Sequence, residues 1–404
     1  MSESTDYLIV GAGIIGLALA KELKARCPKA KIAVVEKEGD VGQHASGRNS
    51  GVLHSGIFYG EDSVKVKVCS SGAKEWAAYC QENHLPITKA GKVILPTQKG
   101  DEERIEVLYD RGKKHGIAIE ILDNQSLKKV EPEAYSISGK ALYLPEVSIV
   151  EPIQVVKYLS QSLEKQGVQI LRNHPFEGVS ENGQSVRVAG KTFSYGHLFN
   201  AAGLHADRVA HAFDVGKDYT MLPFKGIYYE VNPSAGLKVN GLIYAAPDPR
   251  VPFLGIHYSK KMSGEIYLGP TVVPAFGREN YHGLSGLNVI ESVKIMGELF
   301  TLYLKNHQGF RMFVHREGFR MLKPYFYDAA RKLTPALKLQ HLLPSHKVGI
   351  RAQLLDWKKK LLVMDFLVEQ GEKSTHILNA VSPAFTSAFP FARLVLDQVG
   401  ISGA

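Results

Sequence analysis

The stretch Asp6–Asp40 decides the fold of this 404-residue chain, and it reads DYLIVGAGIIGLALAKELKARCPKAKIAVVEKEGD. Its first apolar run, Tyr7–Val10, is typical of a strand that is buried on both faces. Apolar residues then recur at helical spacing over Leu17–Ala25, and Pro28 marks the end of that helix. A second apolar run, Ile32–Val35, predicts another buried strand. The order strand, helix, strand predicts an α/β domain of the Rossmann type.

Glycines between the first strand and the helix predict that this unit binds a dinucleotide. Gly11 permits the tight turn, Gly13 lets a pyrophosphate approach the backbone, and Gly16 lets the helix pack on the strand. Glu36 closes the second strand, where its carboxylate can accept hydrogen bonds from a ribose diol. The complete unit is a strong signal for a dinucleotide, but NAD and FAD fit it equally well.

The segment after the second strand favours FAD. It runs from His44 to Gly56 as HASGRNSGVLHSG and has neither helical nor strand periodicity, whereas a regular helix and a third strand usually follow in a simple NAD dehydrogenase. Small residues here let backbone N–H groups approach a planar, electron-accepting ring. The side-chain donors available to a pyrophosphate and to flavin ring atoms are Ser46, Arg48, Asn49 and Ser50. We therefore expect this segment to hold FAD and to present His54 to the flavin edge.

Composition and charge limit the class of protein. Hydrophobic residues make up 45% of the chain and charged residues 22%, as in a globular protein with a large core. The net charge of +9 favours anionic partners, among them acidic substrates, phosphates, a membrane surface or nucleic acid. Cys27, Cys69 and Cys80 have no CxxC spacing, which argues against disulfides or a zinc site and suits a reducing compartment. No apolar run approaches the ~20 residues of a membrane span, and no leader sequence is evident. We expect a cytoplasmic protein, with peripheral contact to the inner face of a membrane as an open option.

Six stretches along the chain resemble one known family. They are SGRNSGVLHSGIFY, VEPIQVV, NAAGLHADRVA, PFKGIYYEV, IYAAPDPRVPFLGIHYSKK and VGIRAQ, and together they cover nearly the whole chain in order. They are similar to the L-2-hydroxyglutarate dehydrogenase/oxidase family of the D-amino acid oxidase-like flavoproteins. The resemblance implies FAD as cofactor, oxidation of L-2-hydroxyglutarate to 2-oxoglutarate, and electron delivery to a quinone or to oxygen.

The pattern and the resemblance together predict an α/β fold with two domains. One is a discontinuous, Rossmann-like FAD-binding domain of the glutathione-reductase type, expected at 1–85, 146–215 and 345–404. The other is an α+β substrate domain on a mixed sheet, as in D-amino acid oxidase-like proteins, expected at 86–145 and 216–344.

The predicted FAD site draws on four parts of the chain. Small residues at the end of LFNAAG, up to Gly203, let backbone approach the cofactor, and a backbone contact to the adenine is expected at Phe176, where relatives tend to carry a smaller residue. The segment NAVSPAFTSA enters a helix whose N-terminal amides are expected to face the flavin pyrimidine. The full predicted set is Gly11, Gly13, Ile15, Gly16, Glu36, Lys37, His44, Ser46, Arg48, Asn49, Ser50, Val52, Leu53, Phe176, Ala202, Gly203, Ser382, Pro383, Ala384 and Thr386.

Two histidines are candidates for the chemistry. Oxidation of a 2-hydroxy acid needs an acceptor for the hydride on Cα and a base for the hydroxyl proton, and histidine has the pKa best matched to that task. His257 is preferred as the base because the substrate domain should face the flavin across the pocket. His54 is expected to contact or polarise the flavin, and which of the two is the base stays open.

Four further side chains are candidates for substrate binding. A dicarboxylate needs cationic partners, and a bidentate arginine suits it best. Arg351, in GIRAQ, is expected on a strand that re-enters the FAD domain, and Lys225, in PFKGIYY, at the start of a substrate-domain strand. Tyr244 and Tyr228 can add hydroxyl donors, although tyrosine in a strand commonly serves packing.

Three alternatives remain open from the sequence. The same fold suits an amine or amino-acid oxidase of the glycine/sarcosine oxidase kind. The high pI of about 9.1 also suits a non-catalytic nucleotide- or nucleic-acid-binding protein, but no basic patch interleaved with aromatics supports nucleic acid as a partner. Finally, residues 310–332, FRMFVHREGFRMLKPYFYDAARK, mix basic and apolar side chains as a segment at a lipid interface does. The same mixture is typical of helices that cap a domain.

Overall fold

A computed structural model describes residues 3–180, 183–247 and 255–402. Residues 248–254, within the stretch IYAAPDPRVPFLGIHYSKK, lie outside the described residues.

The strands are β1 (Glu3–Val10), β2 (Ile32–Val35), β3 (Val52–Leu53), β4 (Ile87–Lys89), β5 (Lys92–Leu95), β6 (Glu120–Asp123), β7 (Lys140–Leu144), β8 (Ser148–Val150), β9 (Gln169–Leu171), β10 (Phe176–Val179), β11 (Ser185–Val188), β12 (Lys191–Asn200), β13 (Tyr219–Val231), β14 (Leu242–Ala245), β15 (His257–Lys260), β16 (Ile266–Gly269), β17 (Val273–Pro274), β18 (Leu342–Asp356), β19 (Leu361–Leu362), β20 (Leu367–Gln370) and β21 (Ser374–Asn379). The α-helices are α1 (Ile14–Arg26), α2 (Val64–Glu82), α3 (Glu102–Lys114), α4 (Asn124–Val130), α5 (Pro152–Lys165), α6 (Ala206–His211), α7 (Val289–Lys305), α8 (Phe310–Arg320), α9 (Lys323–Ala330) and α10 (Ala384–Gln398).

The first sheet, here called the nucleotide sheet, is built around the glycine motif. It has eight strands, with β1 at its centre between β12 and β2 in the order β10-β11-β12-β1-β2-β9, and β21 and β20 extend it beside β12. β1 pairs in parallel with both neighbours, as the predicted strand–helix–strand unit requires. Both faces of β1 are covered, because neighbouring Leu8 and Ile9 are each fully buried. This arrangement confirms the Rossmann-like part of the prediction.

Helices α1, α2 and α10 pack together on one side of this sheet. Their shared core contains Trp76 of α2, which stacks on Phe389 of α10 with ring centroids 4.1 Å apart. The indole N–H of Trp76 donates to the Phe385 carbonyl at 2.8 Å. Gly72 of α2 is needed at this crossing, since a Cβ there would lie 2.2 Å from the Thr386 carbonyl oxygen. The C-terminal helix is thereby held against the region that follows the glycine motif.

The second sheet, here called the substrate sheet, has ten strands. Its order is β19-β18-β13-β16-β15-β14-β5-β7-β6, with β17 also paired to β13. β14 and β5 run parallel, whereas the other pairs are antiparallel, so the sheet is mixed as predicted. A small third sheet joins β3, β8 and β4, and it shows that the non-periodic segment His44–Gly56 contains a short strand.

One expected boundary is wrong. The FAD domain was expected to resume at residue 345, but β18 pairs with β13 from Tyr219↔Asp356 to Val231↔Leu342. β18 therefore belongs to the substrate sheet, and β20 is the next strand that belongs to the nucleotide sheet. The reason is physical: an apolar pattern identifies a strand, but hydrogen bonds with a distant strand decide which sheet it joins.

A buried ion pair fixes the segment after β17 to α6. Both guanidinium Nη atoms of Arg278 bind the carboxylate of Asp207, with Nη2 at 2.8 Å from Oδ2. Arg278 Nη1 also donates to the Leu204 carbonyl at 2.5 Å, and Nε donates to Glu291 at 2.8 Å. Both partners of the pair are buried, so this is a satisfied charge pair of the kind that tolerates burial.

Candidate active site

A deep cavity of about 660 Å³ lies between the glycine motif and the face of the substrate sheet. All six residues predicted for catalysis and substrate binding line it, and so do all residues predicted for the cofactor except Gly16 and Leu53. Leu53 packs into the core behind the cavity while Val52 faces it, because successive residues of a strand point to opposite sides. Gly16 has the packing role expected of it, since a Cβ there would lie 2.0 Å from the Gly11 carbonyl oxygen.

The glycine turn leaves bare backbone at one end of the cavity. Gly11 has φ +104°, and a Cβ on it would lie 2.6 Å from the Ala201 carbonyl oxygen. A Cβ on Gly13 would lie 3.0 Å from Ser46 Oγ, and that hydroxyl accepts a hydrogen bond from the Ile14 N–H at 2.9 Å. The N-terminus of α1 therefore opens on a cradle that any side chain would fill. Such a cradle fits the pyrophosphate of a dinucleotide.

Glu36 lies at the edge of the cavity with its carboxylate fixed. Oε2 accepts the Ala12 N–H at 2.9 Å and Oε1 accepts the Glu38 N–H at 3.0 Å. Each carboxylate oxygen keeps a further acceptor site, which suits the ribose diol for which Glu36 was predicted. Phe176 also lines this end and packs on Phe213, with centroids 6.2 Å apart. Phe176 thus gives this end of the cavity an apolar lining, with Phe213 packed behind it.

Within the segment His44–Gly56, the side chains of Arg48 and Asn49 donate to nearby backbone carbonyls and so stabilise the conformation of the segment itself. Arg48 Nε donates to the Gln43 carbonyl at 2.7 Å, and Asn49 Nδ2 donates to the Ser46 carbonyl at 2.8 Å. The guanidinium of Arg48 also lies 4.3 Å from the centre of the Tyr281 ring. These side chains thus hold the segment against the cavity. All four predicted donors, Ser46, Arg48, Asn49 and Ser50, line the cavity, and their donation to the cofactor stays a prediction.

Charged residues at the nucleotide end of the cavity form ion pairs and hydrogen bonds with one another. Lys37 Nζ lies 2.7 Å from Glu279 and also contacts Glu38, while His205 Nε2 lies 2.8 Å from Glu279. His44 Nε2 lies 2.9 Å from Glu38. The hydrogen bond from His205 and the ammonium of Lys37 hold the pKa of Glu279 far below its usual range. Carboxylate and imidazole atoms of Glu38, His44 and Glu279 come within 4.8 Å of one another, as in a metal site, but cationic side chains already neutralise these acids.

His257 has the geometry of a neutral base. Its Nδ1 lies 2.9 Å from the Gly255 carbonyl, which can only accept, so Nδ1 carries the proton. Nε2 therefore holds the lone pair, and it has no hydrogen-bond partner among the described residues. The side chain is 4% exposed and lines the cavity. Burial, assisted by the charge of Lys92, lowers the pKa of His257 to about 3 although the Gly255 bond opposes the shift.

His54 lies on the same cavity but is held through its backbone. Its N–H donates to Thr386 Oγ1 at 3.1 Å, and its ring borders the cavity. Burial lowers the pKa of His54 to about 3, with Lys92 and His257 as further causes. Both candidate histidines are thus neutral at physiological pH, which leaves each with one free nitrogen lone pair.

The two predicted substrate cations lie on different faces of their strands. Arg351 of β18 pairs with Phe224 of β13, and Lys225 pairs with Ile350, so alternation points the two cations to opposite sides. Lys225 Nζ donates to Asn280 Oδ1 at 3.1 Å. Burial lowers the pKa of Arg351 to about 10, with Tyr59 acting the other way, and the guanidinium stays charged at neutral pH.

Sequence reasoning missed two buried lysines next to the cavity. Lys92, the first residue of β5, places its ammonium 3.9 Å from the Tyr244 ring centre and 4.2 Å from that of Phe58. Lys65 of α2 donates to the Met364 carbonyl at 2.6 Å. Burial lowers the pKa of each to about 7. In GKVILPT, Lys92 stands at the start of an apolar strand, and that position gives no sign that its ammonium is buried.

Among the described residues, cations line both ends of the cavity, whereas carboxylates line only its nucleotide end. Among the described residues that line it, the carboxylates are Glu36 and Glu177, and both belong to the nucleotide sheet or its edge. The half that faces the substrate sheet is lined by Arg351 and Lys225 and backed by Lys92. An anion at that end therefore meets positive charge and no described carboxylate.

Comparisons with known proteins agree with this geometry. Residues 6–398 match the family described as FAD dependent oxidoreductase (DAO). The chain is similar to L-2-hydroxyglutarate dehydrogenases: 33% identical to the mitochondrial protein of Caenorhabditis elegans over 97% of this chain and 92% of that one, 32% identical to the human mitochondrial protein over 98% and 89%, and 32% identical to the Escherichia coli K12 protein over 98% and 93%.

Solved structures show the same fold. L-α-glycerophosphate oxidase from Mycoplasma pneumoniae with FAD bound superposes with a TM-score of 0.74 at 22% identity, over 98% of this chain and 95% of that one. Glycine oxidase from Geobacillus kaustophilus superposes with a TM-score of 0.70 at 17% identity, over 100% and 96%. At these identities the likeness concerns the fold alone.

Proposed function

Because the chain belongs to the FAD-dependent oxidoreductase family and, within it, to the L-2-hydroxyglutarate dehydrogenases, its cofactor is FAD, and we propose that it oxidises L-2-hydroxyglutarate to 2-oxoglutarate. The observation that carries this proposal is the end of the cavity that Arg351 and Lys225 line, beside the free Nε2 of His257. A dicarboxylate needs two positive partners, and a secondary alcohol needs a base for its hydroxyl proton.

Different residues of the cavity would bind different parts of the cofactor. The backbone of Gly11 and Gly13 and the N-terminus of α1 hold the pyrophosphate, and Glu36 holds the ribose. Bound FAD supplies the acceptor for the hydride that leaves Cα. The N-terminus of α10, with Ala384 on the cavity, offers a positive helix end to a negatively charged flavin ring.

The side chains that bind the substrate and accept its proton line the other half of the cavity. Arg351 binds one carboxylate through its planar guanidinium. Lys225 lines the same cavity from the opposite side of the strand pair, and its hydrogen-bond partner Asn280 is neutral, so its charge is available to the second carboxylate. His257 Nε2 accepts the hydroxyl proton while Cα loses its hydride, so two electrons and one proton leave the carbon and one proton leaves the oxygen for the imidazole. Tyr228 and Tyr244, both buried, wall off water from the reacting carbon.

An anaerobic reductive half-reaction tests the proposal. Purified holoenzyme is mixed with L-2-hydroxyglutarate, its D enantiomer, L-lactate, glycine, sarcosine or D-alanine, and flavin absorbance is followed. We expect rapid bleaching with L-2-hydroxyglutarate alone. Bleaching by glycine, sarcosine or the D-amino acid without bleaching by any hydroxy acid would instead establish an amine oxidase, the function suggested by the glycine oxidase fold.

We further propose that the enzyme passes its electrons to a quinone at a membrane surface. The support is an apolar stripe on α7, where Ile290 is 83% and Phe300 63% exposed. The stripe repeats every three to four residues along one face of the helix and consists of Val289, Ile290, Val293, Met296, Phe300 and Leu304. Monomeric proteins rarely expose a contiguous apolar surface of this kind.

The helices after α7 extend this surface. The sequence predicted lipid contact for residues 310–332 but not for α7. Residues 310–332 contribute exposed apolar side chains from α8 and its end, namely Met312, Phe319, Met321 and Leu322. Four of the basic residues there have local partners: Arg316 and Arg320 pair with Glu317, Arg331 pairs with Asp328, and Arg311 donates to the Tyr303 and Leu304 carbonyls. The described part of the chain has no helix long and apolar enough to cross a bilayer, so the proposed contact is peripheral. Exposed Lys305 and Lys294 on the same helix can supply charge for anionic lipid, although Lys294 also pairs with Glu298 at 3.7 Å.

A further inference from the structure

Lys92 is a buried cation without a described counter-ion. It is 2% exposed, and the described residues offer its ammonium no hydrogen bond or ion pair, only the rings of Tyr244 and Phe58. An ammonium placed over aromatic rings is stabilised by their negative faces. Burial lowers the pKa of Lys92 to about 7, so the ammonium is charged in the acidic range where an imidazole gains its proton, and none of the described residues places a carboxylate against it.

The Lys92 ammonium lies over one face of the Tyr244 ring, and the His257 ring stacks on the other face. The Tyr244 and His257 rings stack with centroids 3.9 Å apart and an interplanar angle of 17°. The Lys92 ammonium lies over the same tyrosine ring at 3.9 Å. Two groups cannot occupy the same place above one ring face, so ammonium, phenol and imidazole form a three-membered stack. The stack begins on β5, passes through β14 and ends on β15 at the cavity.

The groups that face His257 are uncharged or cationic. They are Tyr244 from β14, Tyr228 from β13, His54 from its loop, Lys347 from β18 and Lys92 from β5. We propose that Lys92 is a positioning residue that fixes the His257 ring through Tyr244 and keeps that ring neutral until an anionic substrate arrives. That the ring stays neutral until an anionic substrate arrives rests on the proposed function. The positioning of the ring by Lys92 and Tyr244 concerns the substrate-free enzyme alone.

The charge of Lys92 opposes protonation of His257. A positive charge near His257 disfavours a second positive charge on its ring, so the imidazole stays unprotonated with Nε2 free. A bound dianion offsets that field and lets Nε2 hold a proton more readily. The base is therefore weak in the empty site and becomes stronger when the substrate carboxylates are in place.

Histidine C2 hydrogen–deuterium exchange, read by peptide mass spectrometry, measures the titration of His257 in the holoenzyme. In the wild type without substrate, we expect a midpoint well below the ordinary value of about 6.5. Lys92→Met removes the charge, and the midpoint should rise by roughly one pH unit or more. Lys92→Arg should keep the wild-type midpoint. Lys347→Met, which removes a similar charge outside the stack, should give a smaller rise. Saturating 2-oxoglutarate should raise the wild-type midpoint.

Kinetics provide the second readout. In Lys92→Met the acidic limb of the rate of flavin reduction should move to higher pH, and Lys92→Arg should move it back. A wild-type His257 midpoint near 6.5 would overturn the proposal without any variant having to fold. So would a folded, FAD-replete Lys92→Met with an unchanged midpoint. Since the exchange is first measured without substrate, failure of L-2-hydroxyglutarate as substrate would leave this result readable.

Discussion

The side-chain hydroxyl of Thr386, on α10, accepts a hydrogen bond from the backbone N–H of His54 at 3.1 Å. The same hydroxyl donates to the Val52 carbonyl at 3.3 Å. Thr386 is fully buried, so neither bond competes with water. One threonine thus joins the C-terminal helix to the loop that carries a candidate catalytic histidine, across 332 positions of sequence.

Replacing Thr386 by valine keeps the shape of the side chain and removes both bonds. The His54 N–H and the Val52 carbonyl would be left without these partners, which costs about 1–3 kcal/mol of unfolding free energy. Urea denaturation of the holoenzyme measures the change. Thr301→Val on the exposed side of α7 is the matched control and should cost less, and equal losses in the two variants would contradict the role given to Thr386.

Glu36→Ala should weaken retention of FAD. The carboxylate fixes the glycine turn through the Ala12 N–H and is proposed to accept the ribose hydroxyls, so about 1.5–3 kcal/mol of binding free energy is at stake. Flavin absorbance after exhaustive dialysis measures occupancy. Glu177→Ala, at the other carboxylate on the cavity, serves as control. Wild-type occupancy in Glu36→Ala would remove the ribose assignment.

Arg351→Lys should lower kcat/KM and leave FAD content normal. Lysine keeps the positive charge but loses the planar fork, and the loss of a charge-assisted hydrogen bond is worth about 1.5–3 kcal/mol. That corresponds to about a 10- to 150-fold decrease. Arg393→Lys, on the outer side of α10 where Arg393 pairs with Glu75, is the control. Unchanged kinetics in Arg351→Lys would eliminate it as the substrate clamp.

The double variant Ile290→Glu, Phe300→Glu should abolish binding to lipid vesicles. Two carboxylates in the apolar stripe oppose both burial in the interface and attraction to anionic headgroups. Co-sedimentation with anionic and neutral vesicles, at low and high salt, measures the effect. Val107→Glu changes an exposed valine on α3 and should bind like the wild type. If the wild type does not pellet under any of the four conditions, the membrane surface is refuted and oxygen becomes the better acceptor.

The buried pair of Asp207 and Arg278 should make stability depend on acid. Burial alone would raise the pKa of Asp207, but the hydrogen bonds and charge of Arg278 outweigh it and lower the pKa. A depressed carboxyl pKa contributes stability above the unfolded value of about 3.9 and loses it as pH falls through the folded value. Asp207→Asn should therefore lower the unfolding free energy by about 3–5 kcal/mol at neutral pH. It should differ less from wild type near pH 3, and an equal difference at both pH values would contradict this account.

Local patterns predicted the nucleotide-binding half of the site. Gly11, Gly13 and Gly16 act within one turn, and Glu36 follows at the end of the adjacent strand, so spacing along the chain and position in space coincide. His54 was predicted from the segment that follows the second strand, and His257 and Arg351 from the chemistry of a base and of a carboxylate partner, with support from the family resemblance; all three line the cavity from separate elements.

Features that depend on distant partners could not be predicted in the same way. The strand that carries Arg351 had a clear apolar pattern, but its pairing with β13 lay beyond local reasoning. Lys92 looked like an ordinary strand-edge lysine until β14 placed Tyr244 beside it. Helix α7 is apolar on two sides, and sequence alone does not say which side is covered.

The order of strands in the nucleotide sheet constrains how the protein is made in the cell. β21 pairs with β12 near the middle of that sheet, yet it is synthesised only after the whole substrate sheet, and α10 follows it. A nascent chain that has emerged from the ribosome up to residue 370 lacks both the strand beside β12 and the helix that supports His54. We therefore expect flavin loading only after β21 and α10 have been synthesised, and ribosome-bound chains stalled before β21 should not acquire a yellow colour.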